Sequence, residues 1–409
     1  MPFRFVVLLA FITTALSVSS QYTDSALLKK HIYYLASDKL KGRAPGTPGE
    51  KAAAKYIAEH YKNYGLLPKG TDGYYQPFTY NMRNNPHDTA STGKMHSGRN
   101  IIGYLDNKAQ KTIVIGAHFD HLGNDGRGSS LEKNPKGKIH NGADDNASGT
   151  AGVLELARYF SSNNSTEPVN FLFICFSAEE AGLIGSKYFT NHPTVELAQI
   201  HSMLNMDMIG RLVDSTQKLL IYGVGTGDLF VEKLNAINRN RFVLVFDSSG
   251  IGPSDQTSFY LKQIPVLHFF TGQHTDYHKP SDDASKINYT GESKVLDYMV
   301  DLITEFSSSP IVFHETANKE SGKTSFKVTL GVMPDYSYQG KGLKVDAVTK
   351  DKPGEKAGLK AGDIVLQLGD TEVKNIYDYM GALGKYSKGD SATLKVQRGE
   401  KKLSFKVVF

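Results

Sequence analysis

Thr112-Ile113-Val114-Ile115-Gly116-Ala117-His118-Phe119-Asp120 is a β-branched run that ends on two residues able to hold a metal or a proton. An unbroken apolar run of this length fits a strand covered on both faces, as in a parallel sheet flanked by helices. The layout returns downstream, where Asn170-Phe171-Leu172-Phe173-Ile174-Cys175-Phe176 runs into Ser177-Ala178-Glu179-Glu180. Between the two runs, residues 147–160 have helical spacing, and residues 180–189 make a second helix candidate. Residues 203–206 and 265–270 read as further strands and residues 285–306 as a closing helix. Residues 24–64 read as helical segments broken by the turn-rich GRAPGTPGE of residues 42–50. Strands alternating with helices predict an α/β fold with a mixed, mainly parallel sheet sandwiched by helices. The polar motifs end the strand runs, where such sheets gather their ligands.

The rest of the chain bounds this domain. Its 409 residues are enough for a large core plus a second module. A composition of 40% apolar and 22% charged residues is that of a soluble globular protein. The net charge of +5 is spread without a basic stripe, which excludes nucleic acid as an expected partner. A basic lead at residues 1–4, an apolar run at 5–18 too short to span a bilayer, and small residues at 18–20 predict a signal peptide over residues 1–20. No Cys follows that run and no later segment is long and apolar, so no membrane anchor is expected after signal removal. The mature protein is expected to be periplasmic or secreted. Cys175 is the sole Cys, so no intramolecular disulfide is possible, and its apolar setting gives it no catalytic role. The large domain is expected over residues 21–308, a polar linker over 309–325, and a small domain over 326–409 with five or six short strands and a helix at 375–386.

Within the large domain, five residues form a ligand set for two zinc ions: His118, Asp145, Glu180, Asp207 and His278. Two cations about 3.5–4 Å apart need a shared carboxylate; Asp145 is the choice for it and Asp144 reads as a helix cap, a division that spacing alone does not make. On a strand, residues i and i+2 share a face, so Asp120 can accept the proton of the second His118 nitrogen. Glu179 and Glu180 would repel each other behind a buried strand unless a cation sits beside them. One binds metal and the other moves a proton; spacing does not say which. Asp207 lies in the apolar Met206-Asp207-Met208-Ile209, where an uncoordinated charge is costly. His278 has His274 as its competitor, and Tyr277 beside it can donate to a developing oxyanion. His121, His140, His201 and His268 are unassigned or structural. Asn146-Ala147-Ser148 matches a glycosylation sequon, a pattern common by chance.

These motifs, with the early GRAPGTPGEKAAAKYI, resemble the co-catalytic two-zinc aminopeptidases of the aminopeptidase Y and bacterial leucyl aminopeptidase type, peptidase family M28. The resemblance covers roughly residues 27–306. It implies His118 and Asp207 on one zinc, Glu180 and His278 on the other, and Asp145 as the bridge. It further implies Asp120 orienting His118, Glu179 as general base, and Tyr277 assisting the oxyanion. The implied activity is removal of N-terminal residues from peptides with a free N-terminus, by a hydroxide held between the zincs. Alternatives of related origin are a carboxypeptidase or dipeptidase, a glutaminyl-cyclase-like enzyme, or a binding protein with an inactive hydrolase domain. Where many relatives read S-D-H, this chain has Ser254-Asp255-Gln256, a change expected to act on substrate contacts rather than on metal binding. The small domain resembles a PDZ domain: Gly342-Leu343-Lys344-Val345 is similar to its carboxylate-binding loop, and residues 355–364 match A-G-L-x-x-G-D-x-I. Such a β-sandwich or barrel would bind a peptide or protein chain end by strand addition.

Overall fold

The computed structural model describes residues 22–82, 94–316, 328–334, 340–348, 352–374 and 376–409. The expected signal peptide and residues 317–325 of the expected linker lie outside them.

Helix α1 (Ser25–Leu35) starts where the Asp24 carboxylate accepts the Ala26 and Leu27 N–H groups. Helix α2 (Pro48–Asn63) starts at Thr47, whose hydroxyl accepts Glu50 N–H, with Pro48 pre-set for the first turn. A nine-stranded sheet follows. Its main strands are β1 (Tyr75–Met82), β2 (Lys94–Leu105), β3 (Thr112–His118), β4 (Asn170–Phe176), β5 (Ile200–Met206), β6 (Lys218–Tyr222), β7 (Val243–Asp247) and β8 (Val266–Phe270). The spatial order is Leu67–Pro68, β2, β4, β3, β5, β8, β6, β7, with β1 also paired to β2. The centre, β4-β3-β5-β8, is parallel, while β1–β2, β2–β4 and β8–β6 pair antiparallel.

Every residue of β3, β4 and β5 is buried, and their side chains divide between two cores. Ile113, Ile115, Ala117, Phe171, Phe173 and Cys175 face one core with α1, α2, α3 (Gly149–Ser162), α5 (Phe230–Asn238) and α7 (Tyr289–Phe306). Val114, Leu172, Ile174 and Phe176 face the other, with Phe189 of α4 (Ile184–Asn191) and Phe259 of α6 (Gln256–Tyr260). Each such side chain is worth about 1.5–3 kcal/mol on burial, so the strand ends are held rigidly.

The helix expected over residues 180–189 begins only at Ile184. Gly182 and Leu183 have φ of 106° and 61°, which a helix cannot continue through, and Glu179 and Glu180 sit on the turn before it. At the far end, residues 311–316 stay on the large domain: His314 N–H donates to Thr226 O and Thr316 N–H to Tyr260 Oη. The described residues of the small domain form a separate six-stranded antiparallel sheet around Leu330, Val345, Val365, Leu368, Leu394 and Val396. A helix at Ile376–Leu383 matches the expected one. No described helix is long and apolar enough to cross a membrane.

Candidate metal centre

Three adjacent parallel strands bring the chemistry together. His118 is the last residue of β3, Asp207 follows β5 directly, and Glu179 and Glu180 occupy the turn after β4. Asp145 lies in the segment leading into α3, and His278 in the turns after β8. All five expected ligands, with Glu179 and Tyr277, line one cavity.

The ligand atoms form two groups that share Asp145. His118 Nε2 lies 3.4 Å from Asp145 Oδ1 and 3.4 Å from Asp207 Oδ1. His278 Nε2 lies 3.2 Å from Asp145 Oδ2 and 3.3 Å from Glu180 Oε2. A tetrahedral zinc ion with bonds of about 2.0–2.1 Å has ligand atoms about 3.3 Å apart, so both groups fit one. Asp145 Oδ2 is buried and makes no hydrogen bond despite its imidazole neighbour, which is the state of an oxygen whose partner is a cation. The neighbouring Asp144 is spent elsewhere: it accepts Gly210 N–H and pairs with His274 at 3.1 Å. That contact also takes His274 out of competition with His278.

The electrostatics divide the two glutamates. Burial raises the Glu180 carboxyl, but His278 and then His121 outweigh it and bring it down to about 2. For Glu179, burial dominates and Glu180 and Asp255 add to it, so its carboxyl is held well above its ordinary value despite His118. Burial lowers the His118 imidazole, yet Asp207 and Glu179 outweigh it and hold it well above 6.5. One carboxylate is thus fixed as an anion among imidazoles, while its neighbour takes a proton readily.

Residues 100–303 match peptidase family M28, and residues 320–408 match the PDZ domain. The chain carries a peptidase family M28 domain. Over 205 residues it is 29% identical to aminopeptidase YwaD of Bacillus subtilis (strain 168), a match covering 47% of this chain. The chain spans 41% of that relative's length. The solved aminopeptidase from Aneurinibacillus sp. strain AM-1 has a TM-score of 0.55 at 19% identity, over 74% of this chain and 97% of that one. Porphyromonas gingivalis glutaminyl cyclase has a TM-score of 0.55 at 17% identity, over 69% of this chain and 99% of that one. At such identities the likeness shows the fold alone.

Around the M28 cavity the surrounding contacts are specific. His278 Nδ1 donates to Ser129 O at 3.0 Å, and Leu131 N–H donates to His278 O, so the loop after β3 aims Nε2 at the carboxylates. Ala178, Met208 and His278 have φ of 60°, 55° and 53°, left-handed backbone at or beside three site residues. Arg43 is fully buried and donates to four backbone carbonyls: Leu35, Phe119, Asn141 and Gly142. Its guanidinium therefore ties the loops carrying His118 and Asp145 to the start of the domain, and nothing in the turn-rich reading of residues 42–50 marked it.

Two expectations are corrected. His118 Nδ1 lies 3.2 Å from the Asp120 backbone oxygen but 3.8 Å from its carboxylate, beyond hydrogen-bond reach. The chain leaves the strand at His118, so the i, i+2 argument does not extend to Asp120. Its carboxylate instead accepts Glu179 N–H at 3.1 Å and is pushed up to about 7 by burial. Ser254, Asp255 and Gln256 are fully buried, with Asn205 Nδ2 of β5 donating to Ser254 Oγ and Gln256 Oε1. That segment packs against β5 and is not part of the cavity lining, which Pro253 beside it joins. Asn146 is also fully buried, which removes the sequon from use. Tyr277 lines the cavity and stacks on His278 at 3.9 Å. His121, unassigned from sequence, meets Glu180 at 2.8 Å.

Proposed function

We propose that this protein is a zinc-dependent aminopeptidase that removes N-terminal residues from peptides with a free N-terminus. The carrying observation is Asp145, placed between two ligand groups of matched spacing in the cavity that also holds Glu179. His118 and Asp207 would hold one zinc, Glu180 and His278 the other, with Asp145 shared. Bound there, two zinc ions supply Lewis acidity at the peptide carbonyl and lower the pKa of a water.

Glu179 is the general base. Its carboxylate, in the same cavity as the ligand set, would take a proton from water and return it to the leaving amine. Asp120, through Glu179 N–H, fixes the backbone from which that carboxylate projects. Tyr277, which lines the cavity, would donate to the developing oxyanion. The cyclase likeness is met by the ligand set: His118 with Asp207 and His278 with Glu180 form two cation groups of matched spacing. The PDZ domain would receive a peptide or protein chain end. Residues 1–20 would direct export to the periplasm or medium.

The test is hydrolysis of free-amino aminoacyl and dipeptide substrates beside N-blocked, C-terminally varied and N-terminal glutaminyl ones, before and after chelation. Cleavage limited to free-amino substrates, lost on chelation and regained with zinc, is expected. Equal cleavage of blocked peptides, cyclisation without hydrolysis, or indifference to the chelator overturns the reading.

A further inference from the structure

His121 stands one residue beyond the H-x-D pair and is fully buried. Its Nδ1 lies 2.8 Å from Glu180 Oε1 and 3.8 Å from Asp145 Oδ2. Its ring meets that of His278 edge-on, with centroids 5.9 Å apart. Gly142 makes room for it: at φ 57°, a Cβ there would come within 2.5 Å of the His121 ring. A further imidazole is thus packed against the group formed by Asp145, Glu180 and His278.

Two roles are open to such a histidine, and the distances choose between them. Atoms bound to one tetrahedral zinc sit about 3.3 Å apart. His121 Nδ1 and Glu180 Oε1 are closer than that, at the separation of a hydrogen bond. An ionised carboxylate cannot donate, so the proton belongs to Nδ1. Glu180 Oε2, by contrast, keeps the ligand spacing to His278. The two oxygens of one carboxylate therefore have separate tasks.

Resting on the two-zinc reading above, we propose that His121 is a positioning residue of the second zinc site. Its Nδ1–H occupies Glu180 Oε1, so that Glu180 offers a single oxygen to the ion. A bidentate Glu180 would take two positions of a small tetrahedral ion and close the one left for water or substrate. Holding one oxygen away keeps that position open and fixes the carboxylate's rotation.

The test uses the full chain with zinc itself as the probe. Zinc per chain after dialysis and the two dissociation constants by chelator competition are measured for wild type, H121F and H121N. The phenylalanine keeps the ring's bulk without a donor; the asparagine restores a donor near the Nδ1 position. Expected for H121F is a second zinc bound about 10–100-fold more weakly with the first unchanged. Turnover should fall and stay below wild type even at saturating zinc, because the second Glu180 oxygen then takes the position that His121 keeps open. H121N should bind the second zinc within a few-fold of wild type. Unchanged zinc affinities in H121F, or H121N as weak as H121F, overturn the proposal. If H121F does not fold by circular dichroism, H121A takes its place under the same criteria. A wild type that binds fewer than two zincs overturns the two-zinc reading instead, which separates the two failures.

Discussion

Asp363 in the PDZ domain and Asp145 in the M28 domain are both buried carboxylates, yet they are solved in opposite ways. Asp363 accepts Arg398 Nε at 2.6 Å, Arg398 Nη2 at 2.8 Å and Lys360 N–H at 2.9 Å, so a cation of its own chain completes it. Asp145 faces His118 and His278 with Asp207 and Glu180 close by, and its Oδ2 makes no hydrogen bond. The nearest buried guanidinium, Arg43, turns to backbone carbonyls instead. A self-sufficient buried pair is architecture, whereas converging carboxylates that the fold leaves short of a cation mark a site that takes one.

The comparison breaks first at Glu179. Glu179→Gln should lower turnover by about 10²–10⁴-fold while zinc content by elemental analysis stays near wild type. If zinc is lost and Glu180→Gln behaves instead as the base variant, the two glutamates are exchanged. Next comes Arg43. Arg43→Met leaves four carbonyls without their shared partner and should cost about 3 kcal/mol or more in urea unfolding, with Arg43→Lys between it and wild type.

Glu50 sharpens the contrast through pH. Burial pushes its carboxyl from 4.5 up to about 7, although Arg99 and Ser177 oppose this. The folded state therefore holds the proton more tightly than the unfolded chain. The stability this provides is full below about 4.5 and is lost as pH rises through 7, roughly 3 kcal/mol in all. Unfolding of Glu50→Gln followed from pH 4.5 to 8 should show a flatter dependence than wild type; an unchanged slope rejects the assignment. The smallest effect belongs to the paired carboxylate. Asp363→Asn should destabilise the PDZ domain by about 1–2 kcal/mol and leave hydrolysis of short substrates as it was.

What could be read in the sequence follows the same division. The strands of TIVIGA and NFLFICF were legible because burial on both faces demands unbroken apolar side chains. The strand Lys94–Leu105, with His96, Ser97, Gly98, Arg99 and Asn100 in its middle, carries no such mark and was missed. The five ligands were legible because costly residues stood where strands end. Their supports were not. Asp120 was placed by strand geometry that ends at His118, two residues too soon, and nothing in Ser254-Asp255-Gln256 marked its full burial. His121 had one signal, a second histidine directly after the H-x-D pair, but it takes Glu180, far along the chain on the turn after β4, to give that histidine a purpose.

Arg43 reads its neighbours only through peptide oxygens. As far as this clamp is concerned, the side chains at Leu35, Phe119 and Asn141 can drift without altering what it grips. A lineage, or an engineer, could therefore change those side chains and keep the frame of the site, provided that one arginine is left alone.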